Sequence, residues 1–146
     1  MTKEIEAKSI LVKNKKPAGW FGVHYQFNIY RGCEHHCIYC DSRSLCYRIE
    51  NFDELIVKMN AAELLEQELK NRRKKGTIGT GAMSDPYTKS EKEYLLTRRC
   101  LVVIAEYNYP VHITTKSNLI LRDIDLLEEI KDMLRRPQLS QLLIIN

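Results

Sequence analysis

Strand and helix patterns alternate along this chain, and that alternation restricts its fold more than any other feature. Tyr25, Phe27 and Ile29 alternate with Gln26, Asn28 and Tyr30, the period of two that marks a strand. Across residues 53–75, Leu55, Met59, Ala62, Leu65 and Leu69 recur every three or four positions. That spacing predicts a helix with one apolar face, ended by Gly76. Residues 77–81 read as a second strand, followed by a polar turn, Ser84-Asp85-Pro86. Ser90 opens a second helix, with Glu93 completing a capping box and Leu95, Leu101, Val102 and Ala105 as its core face. Residues 110–115 form a third strand. Asp123 reads as the N-cap of a third helix with Leu126, Leu127, Ile130, Met133 and Leu134 on its apolar face. Arg135 and Arg136 suit its last turn, Pro137 stops it, and residues 142–145 are a fourth strand.

The order β-α-β-α-β-α-β predicts parallel strands joined by helical crossovers. The 146 residues suffice for one domain with a real core. Four strands cannot close an eight-stranded barrel, which takes about 250 residues. The expected fold class is therefore α/β: the N-terminal portion of a partial (β/α) barrel with parallel strands. Residues 1–22 read as a polar lead-in, broken by Lys13, Lys15, Lys16, Pro17 and Gly19, and residues 23–146 as an incomplete barrel domain. The last strand is apolar on both faces, as buried parallel strands are. Uncovered, it is an edge through which the chain is expected to associate.

Net charge is +4, and the pI is near 8.8. Mild basicity permits an anionic partner, including nucleic acid, without requiring one. The main basic run, residues 70–75, has no interleaved aromatic residue and reads as the solvated end of a helix. No apolar run nears the roughly 20 residues of a membrane span, and the first residues lack a signal peptide's apolar stretch. The expected location is the cytoplasm, with no membrane partner.

Five cysteines stand at 33, 37, 40, 46 and 100, the first three within eight residues. In a cytosolic chain such clustering points to metal or catalysis rather than disulfides. Cys33, Cys37 and Cys40 form a CxxxCxxC motif directly after the first strand pattern. Thiolates are the usual ligands of a [4Fe–4S] cluster. Three of them leave one iron open to a small chelating ligand, much as catalytic zinc keeps an open position. A zinc knuckle is a second reading, with Cys37 and Cys40 as its pair and Cys33, Cys46 or His35 and His36 completing it. A structural four-cysteine cluster using Cys46 is a third. Core cysteines clustered by chance are a fourth, opposed by the polarity of Glu34, His35 and His36. The two histidines read as exposed loop residues, and Cys100 as a buried core thiol.

The motif, with an aromatic residue before its last cysteine, resembles the radical S-adenosylmethionine superfamily. Tyr30-Arg31-Gly32-Cys33 through Cys40, then Ser84-Asp85-Pro86-Tyr87, then Thr115-Lys116-Ser117 resemble the spore photoproduct lyase and DNA-repair-photolyase-like family, from about Tyr25 onward. The resemblance implies a [4Fe–4S] cluster on Cys33, Cys37 and Cys40 and S-adenosyl-L-methionine as cofactor. It implies that Tyr39 lies beside the adenine, that Ser84 and Asp85 reach the methionine amino group or ribose, and that Lys116 and Ser117 contact the carboxylate or ribose. A cofactor with a carboxylate, an amine and a diol asks for a cation, an anion and hydroxyls at strand ends, and these residues supply them. Alone, Ser84-Asp85-Pro86 would be an ordinary turn and Lys116 a surface lysine.

The implied activity is reductive cleavage of S-adenosylmethionine to a 5′-deoxyadenosyl radical, which abstracts hydrogen from a substrate. The implied partners are an external one-electron reductant of flavodoxin or ferredoxin type and, at family level, lesion-bearing DNA. One position departs from the pattern. The lyase proper has a hydrogen-donor cysteine just before the serine matching Ser84, and this chain has Met83, whose thioether carries no S–H. The contrasting class is a non-enzymatic zinc or iron–sulfur module that binds nucleic acid.

Overall fold

The computed structural model describes residues 2–15, 22–40, 42, 52, 54–134 and 143–145, the side chains of 134 and 143–145 excepted. Cys46 and the expected helix end at Arg135, Arg136 and Pro137 lie outside the described residues.

The chain is a mixed α/β structure with parallel strands. Strand β1 (Thr2–Ile5), β2 (Val12–Lys13), β3 (Val23–Gln26), β4 (Tyr30–Arg31) and β5 (Leu55–Lys58) precede helix α1 (Ala61–Lys70). Then come β6 (Thr77–Thr80), α2 (Glu91–Tyr94), α3 (Leu96–Glu106) and β7 (Val111–Thr114). A 3-10 turn (Asn118–Asp123), α4 (Ile124–Leu134) and β8 (Leu143–Ile145) complete the order. The larger sheet runs β2-β3-β6-β7-β8. In it β3, β6, β7 and β8 are parallel and β2 pairs antiparallel on the edge. A smaller sheet, β1-β5-β4, has β1 parallel and β4 antiparallel to β5.

The expected parallel strands are present, and several local expectations are corrected; the strand pattern over residues 25–30 is divided between β3 and β4, which belong to different sheets. Residues 1–22 are more than a lead-in: β1 and β2 join the two sheets, and the Glu68 carboxylate accepts the N–H groups of Ile10 and Leu11 at 3.2 and 2.8 Å. The expected helix over 53–75 begins with a strand instead. Leu55 and Met59 fit helical spacing, but Ile56 and Val57 are β-branched and favour a pleated surface, where β1 and β4 pair with them. Only Ala62, Leu65 and Leu69 of that stripe form the buried face of α1. The second helix is broken at Leu95, which is left-handed (φ 56°). Leu95 and Val102 are exposed, while Leu101 and Ala105 are buried.

The Ser90–Glu93 capping box does not form; Ser90 makes no side-chain cap. Asp123 is no simple cap either, because its carboxylate is buried against Arg98 and Arg122. The basic run after α1 is partly stacked rather than merely solvated. The Arg72 guanidinium lies 5.2 Å from the centre of the Tyr25 ring, and Lys75 lies 5.7 Å from that of Tyr109. Helices α1, α3 and α4 pack in succession. Leu65, Ile78, Leu101, Ile104 and Ile113 lie in the core between helices and sheet. Among the described residues no helix is long and apolar enough to cross a membrane.

Candidate functional site

The cysteine loop leaves β4 through Gly32, whose φ of +84° favours glycine. A Cβ there would lie 2.6 and 2.7 Å from the carbonyl oxygens of Phe52 and Glu54. The Cys33 N–H donates to that same Phe52 carbonyl at 3.3 Å. The loop start is thereby fastened to the segment leading into β5. On the other side of the site, Gly81 (φ +101°) lets the exit of β6 press against the Thr114 carbonyl, leaving no room for a side chain. Residues 83–85 and 115–117 are thus neighbours at the carboxyl ends of adjacent parallel strands, where α/β folds place their ligands.

Asp85 joins these pieces. Its Oδ1 accepts the Tyr87 N–H at 2.8 Å and the Thr115 hydroxyl at 2.6 Å. Its Oδ2 accepts the Lys116 N–H at 2.8 Å and lies 3.0 Å from His35 Nε2. One buried carboxylate therefore binds its own turn and the end of β7, and lies against His35 of the cysteine loop. Both Asp85 oxygens thus have protein donors of their own. His35 is likewise half-buried against Asp85 rather than simply exposed. Ser84 is buried, and its hydroxyl donates to the Tyr30 carbonyl at 2.5 Å. Ser117 Oγ caps the 3-10 turn by accepting the Leu119 N–H at 3.2 Å. Of the expected cofactor contacts, Tyr39 and Lys116 are the two left outward-facing. The Lys116 ammonium lies 3.8 Å from the centre of the 71% exposed Tyr39 ring.

Glu34 is a second fastening that sequence reasoning missed. It accepts the Ser90 N–H at 2.7 Å, the Ser90 hydroxyl at 2.8 Å and the Thr88 hydroxyl at 3.0 Å. Desolvation raises its carboxyl, but these bonds and the charge of Lys89 outweigh it and hold the group below its ordinary value. The cysteine loop, not Glu93, thus caps the start of α2. The only sequence signal was an acid inside the cysteine motif, and its partner lies 56 residues away.

Cys33, Cys37 and Cys40 are half-buried free thiols on this loop. Burial, together with the nearby charges of Asp85 and Cys37, pushes the Cys33 thiol up. The backbone N–H groups of His35 and Asp85 point at its sulfur and oppose that rise. Among the described residues no three His, Cys, Asp or Glu side chains converge as a ready-made ion site. The donor chemistry nonetheless suits an iron–sulfur cluster: three thiols on one loop, with N–H donors on a sulfur of the kind that tune such centres. Cys100 is fully buried in the core, as expected, and burial pushes its thiol above the usual range.

The chain is similar to uncharacterized proteins of bacterial and archaeal origin. One from Mycobacterium tuberculosis and one from Mycobacterium bovis are each 34% identical over 134 residues, covering 86% of this chain and 39% of theirs. One from Methanocaldococcus jannaschii is 36% identical over 129 residues, covering 86% of this chain and 46% of its own. The chain thus spans less than half the length of these curated relatives. No protein-family model and no solved structure matches it.

Behind the loop lies a buried ionic network. Tyr30, at the start of β4, donates its hydroxyl to Glu91. Glu91 also accepts the Thr97 N–H at 2.9 Å and Arg122 at 3.0 Å. Arg122 then pairs with Asp123, which takes the Tyr87 hydroxyl at 3.0 Å and Arg98 at 2.9 Å. The strand carrying the cysteine loop is therefore held to α2, α3 and the 3-10 turn by polar bonds inside the fold.

Proposed function

We propose that this chain is the N-terminal part of a radical S-adenosylmethionine enzyme. Cys33, Cys37 and Cys40 hold a [4Fe–4S] cluster, and the parallel strands β3, β6, β7 and β8 begin a partial (β/α) barrel. The observation that carries the reading is convergence. Three motifs separated by dozens of residues meet at one end of the sheet, with the Asp85 carboxylate accepting the Lys116 N–H and lying 3.0 Å from His35 Nε2 of the cysteine loop. A surface turn and a stray lysine would have no reason to share one carboxylate.

When bound, the cluster supplies one-electron reduction of S-adenosylmethionine, which yields methionine and a 5′-deoxyadenosyl radical. The electron comes from an external flavodoxin- or ferredoxin-type donor. The chain's own residues bind and orient. Tyr39 offers a face for the adenine, and the Lys116 ammonium, already beside that ring, offers a charge for the cofactor carboxylate. Asp85, Thr115 and Glu34 keep the loop and strand ends in register. The serine and aspartate expected at the cofactor act in this reading through position rather than contact. Met83 lies beside Ser84 without a transferable hydrogen, so repair of a thymine lesion through a cysteine donor does not follow for this chain. Lesion-bearing DNA stays a candidate substrate for the longer protein.

Anaerobic reconstitution with iron and sulfide tests the reading. The expected product is a brown protein with a broad absorption shoulder near ~400 nm, from thiolate-to-iron charge transfer. It should form 5′-deoxyadenosine from S-adenosylmethionine after chemical reduction. A colourless protein that takes up zinc instead would replace this reading with the metal-binding module.

A further inference from the structure

Beside the cysteine loop, a cleft of about 340 Å³ opens between the smaller sheet and the end of β6. Strand register explains its chemistry. Leu55 and Val57 turn into the core, so Ile56 and Lys58 face the other way. Ile5 stands opposite Lys58, and Arg31 opposite Ile56. Arg31 and Lys58 are therefore diagonal neighbours on one face, joined at the wall by Asn28, with Ile5, Ile56 and Met83 as apolar surface.

Like charges side by side on a sheet are unfavourable. Among the described residues no carboxylate lines the cleft. Nor does any described acid form an ion pair with either cation. Burial, and then the charge of Arg31, hold the Lys58 ammonium below its ordinary value. Among the described residues that line it, the cleft is thus a positive pocket with no counter-charge, next to an apolar wall.

We propose that this cleft binds a phosphomonoester carried on a small apolar body. A phosphomonoester brings a charge of about −1.5 to −2 and three acceptor oxygens. The guanidinium, the ammonium and the Asn28 amide supply donors for those oxygens. A carboxylate brings one charge and would leave the pair half-compensated. The volume suits a small ligand. Gly32 lines the cleft and precedes Cys33, so the ligand would sit beside the cysteine loop. Its role as the substrate losing hydrogen rests on the proposed function; its binding does not.

Calorimetric titration of the full 146-residue chain, without iron, tests binding. Phenyl phosphate should bind saturably, at least fivefold tighter than benzoate or inorganic phosphate, and benzyl alcohol should not bind. Lys58→Met and Arg31→Gln should each weaken phenyl phosphate tenfold or more, while Lys13→Met, on the other sheet, should leave it unchanged. Equal binding of benzoate would overturn the phosphate assignment. Unchanged affinity in both cleft variants, or no saturable binding by a chain with folded circular dichroism, would overturn the site. The same titration after reconstitution separates the two proposals. Phenyl phosphate binding without iron loading would keep the cleft and end the radical-enzyme reading, and iron loading without binding would do the reverse.

Discussion

At the scale of single residues, the cysteine loop is held by groups that are not themselves ligands. Under the proposed function, Cys33→Ala, Cys37→Ala and Cys40→Ala should each abolish four-iron loading, and Cys46→Ala or Cys100→Ala should not; iron and sulfide analysis of each variant decides. Normal loading in the Cys37 variant would end the assignment. Gly32 should matter almost as much. A Cβ there meets two backbone carbonyl oxygens, which cannot swing aside as a side-chain tip can. Gly32→Ala should destabilise the chain by on the order of 1–3 kcal/mol and reduce iron uptake. Asp85 calls for a different experiment, because its oxygens are already occupied. If it acts by positioning the Lys116 backbone, Asp85→Asn and Lys116→Ala should each weaken S-adenosylmethionine binding about tenfold, roughly 1.4 kcal/mol. The double variant should then fall well short of the sum. Strict additivity would mean that Asp85 meets the cofactor on its own account.

At the scale of elements, the decisive contact is the one between the cysteine loop and the start of α2. Local sequence suggested that Ser90 and Glu93 cap each other, yet Ser90 gives both its N–H and its hydroxyl to Glu34. Glu34→Ala should therefore lower stability by about 1–3 kcal/mol, the cost of stranding hydrogen-bonded partners of a charged group. Glu93→Ala should change it by less than about 0.5 kcal/mol, as exposed substitutions do. Urea unfolding of the two variants compares them directly, and equal effects would restore the capping box. The same example shows what the sequence made legible. Period-two and period-three-or-four patterns depend on neighbours within a few residues, so β6, β7 and β8 and the buried faces of α1 and α4 could be read. Leu55 obeyed the helical period by coincidence, and its true partners are in β1, some fifty residues away. Glu34 and Thr88 carried no local signal either, since their partners lie 54 to 56 residues off. The cysteine motif stood out because its spacing is local.

Across the whole molecule, the network of Glu91, Arg98, Arg122 and Asp123 links β4, α2, α3 and the 3-10 turn, and its pH dependence is open to measurement. Asp123 is fully buried, with Arg98 and Arg122 partly open to solvent. Burial alone would raise its carboxyl, but hydrogen bonds from Arg122, Arg98 and Tyr87 outweigh burial and hold it below the ordinary value. An acid depressed in the fold contributes stability that is fully present above its unfolded pKa, roughly 4. That contribution is lost as pH falls through the lower folded value. Glu91 runs the other way. Burial raises its carboxyl, so its contribution is present at low pH and is lost as pH rises towards the raised value. Comparing the natural chain with Asp123→Asn largely removes the Glu91 effect, because both proteins retain it. At pH 7 the variant should be less stable by about 3 kcal/mol, the lower end for breaking a buried ion pair, because the exposed parts of the two guanidiniums keep some solvation. Below about pH 4 the two unfolding curves should approach one another, as the natural chain loses the interaction that the variant never had. A stability gap unchanged between pH 7 and pH 3 in urea titrations would show that Asp123 contributes by shape and hydrogen bonding, and that the charge at the centre of the network stabilises nothing.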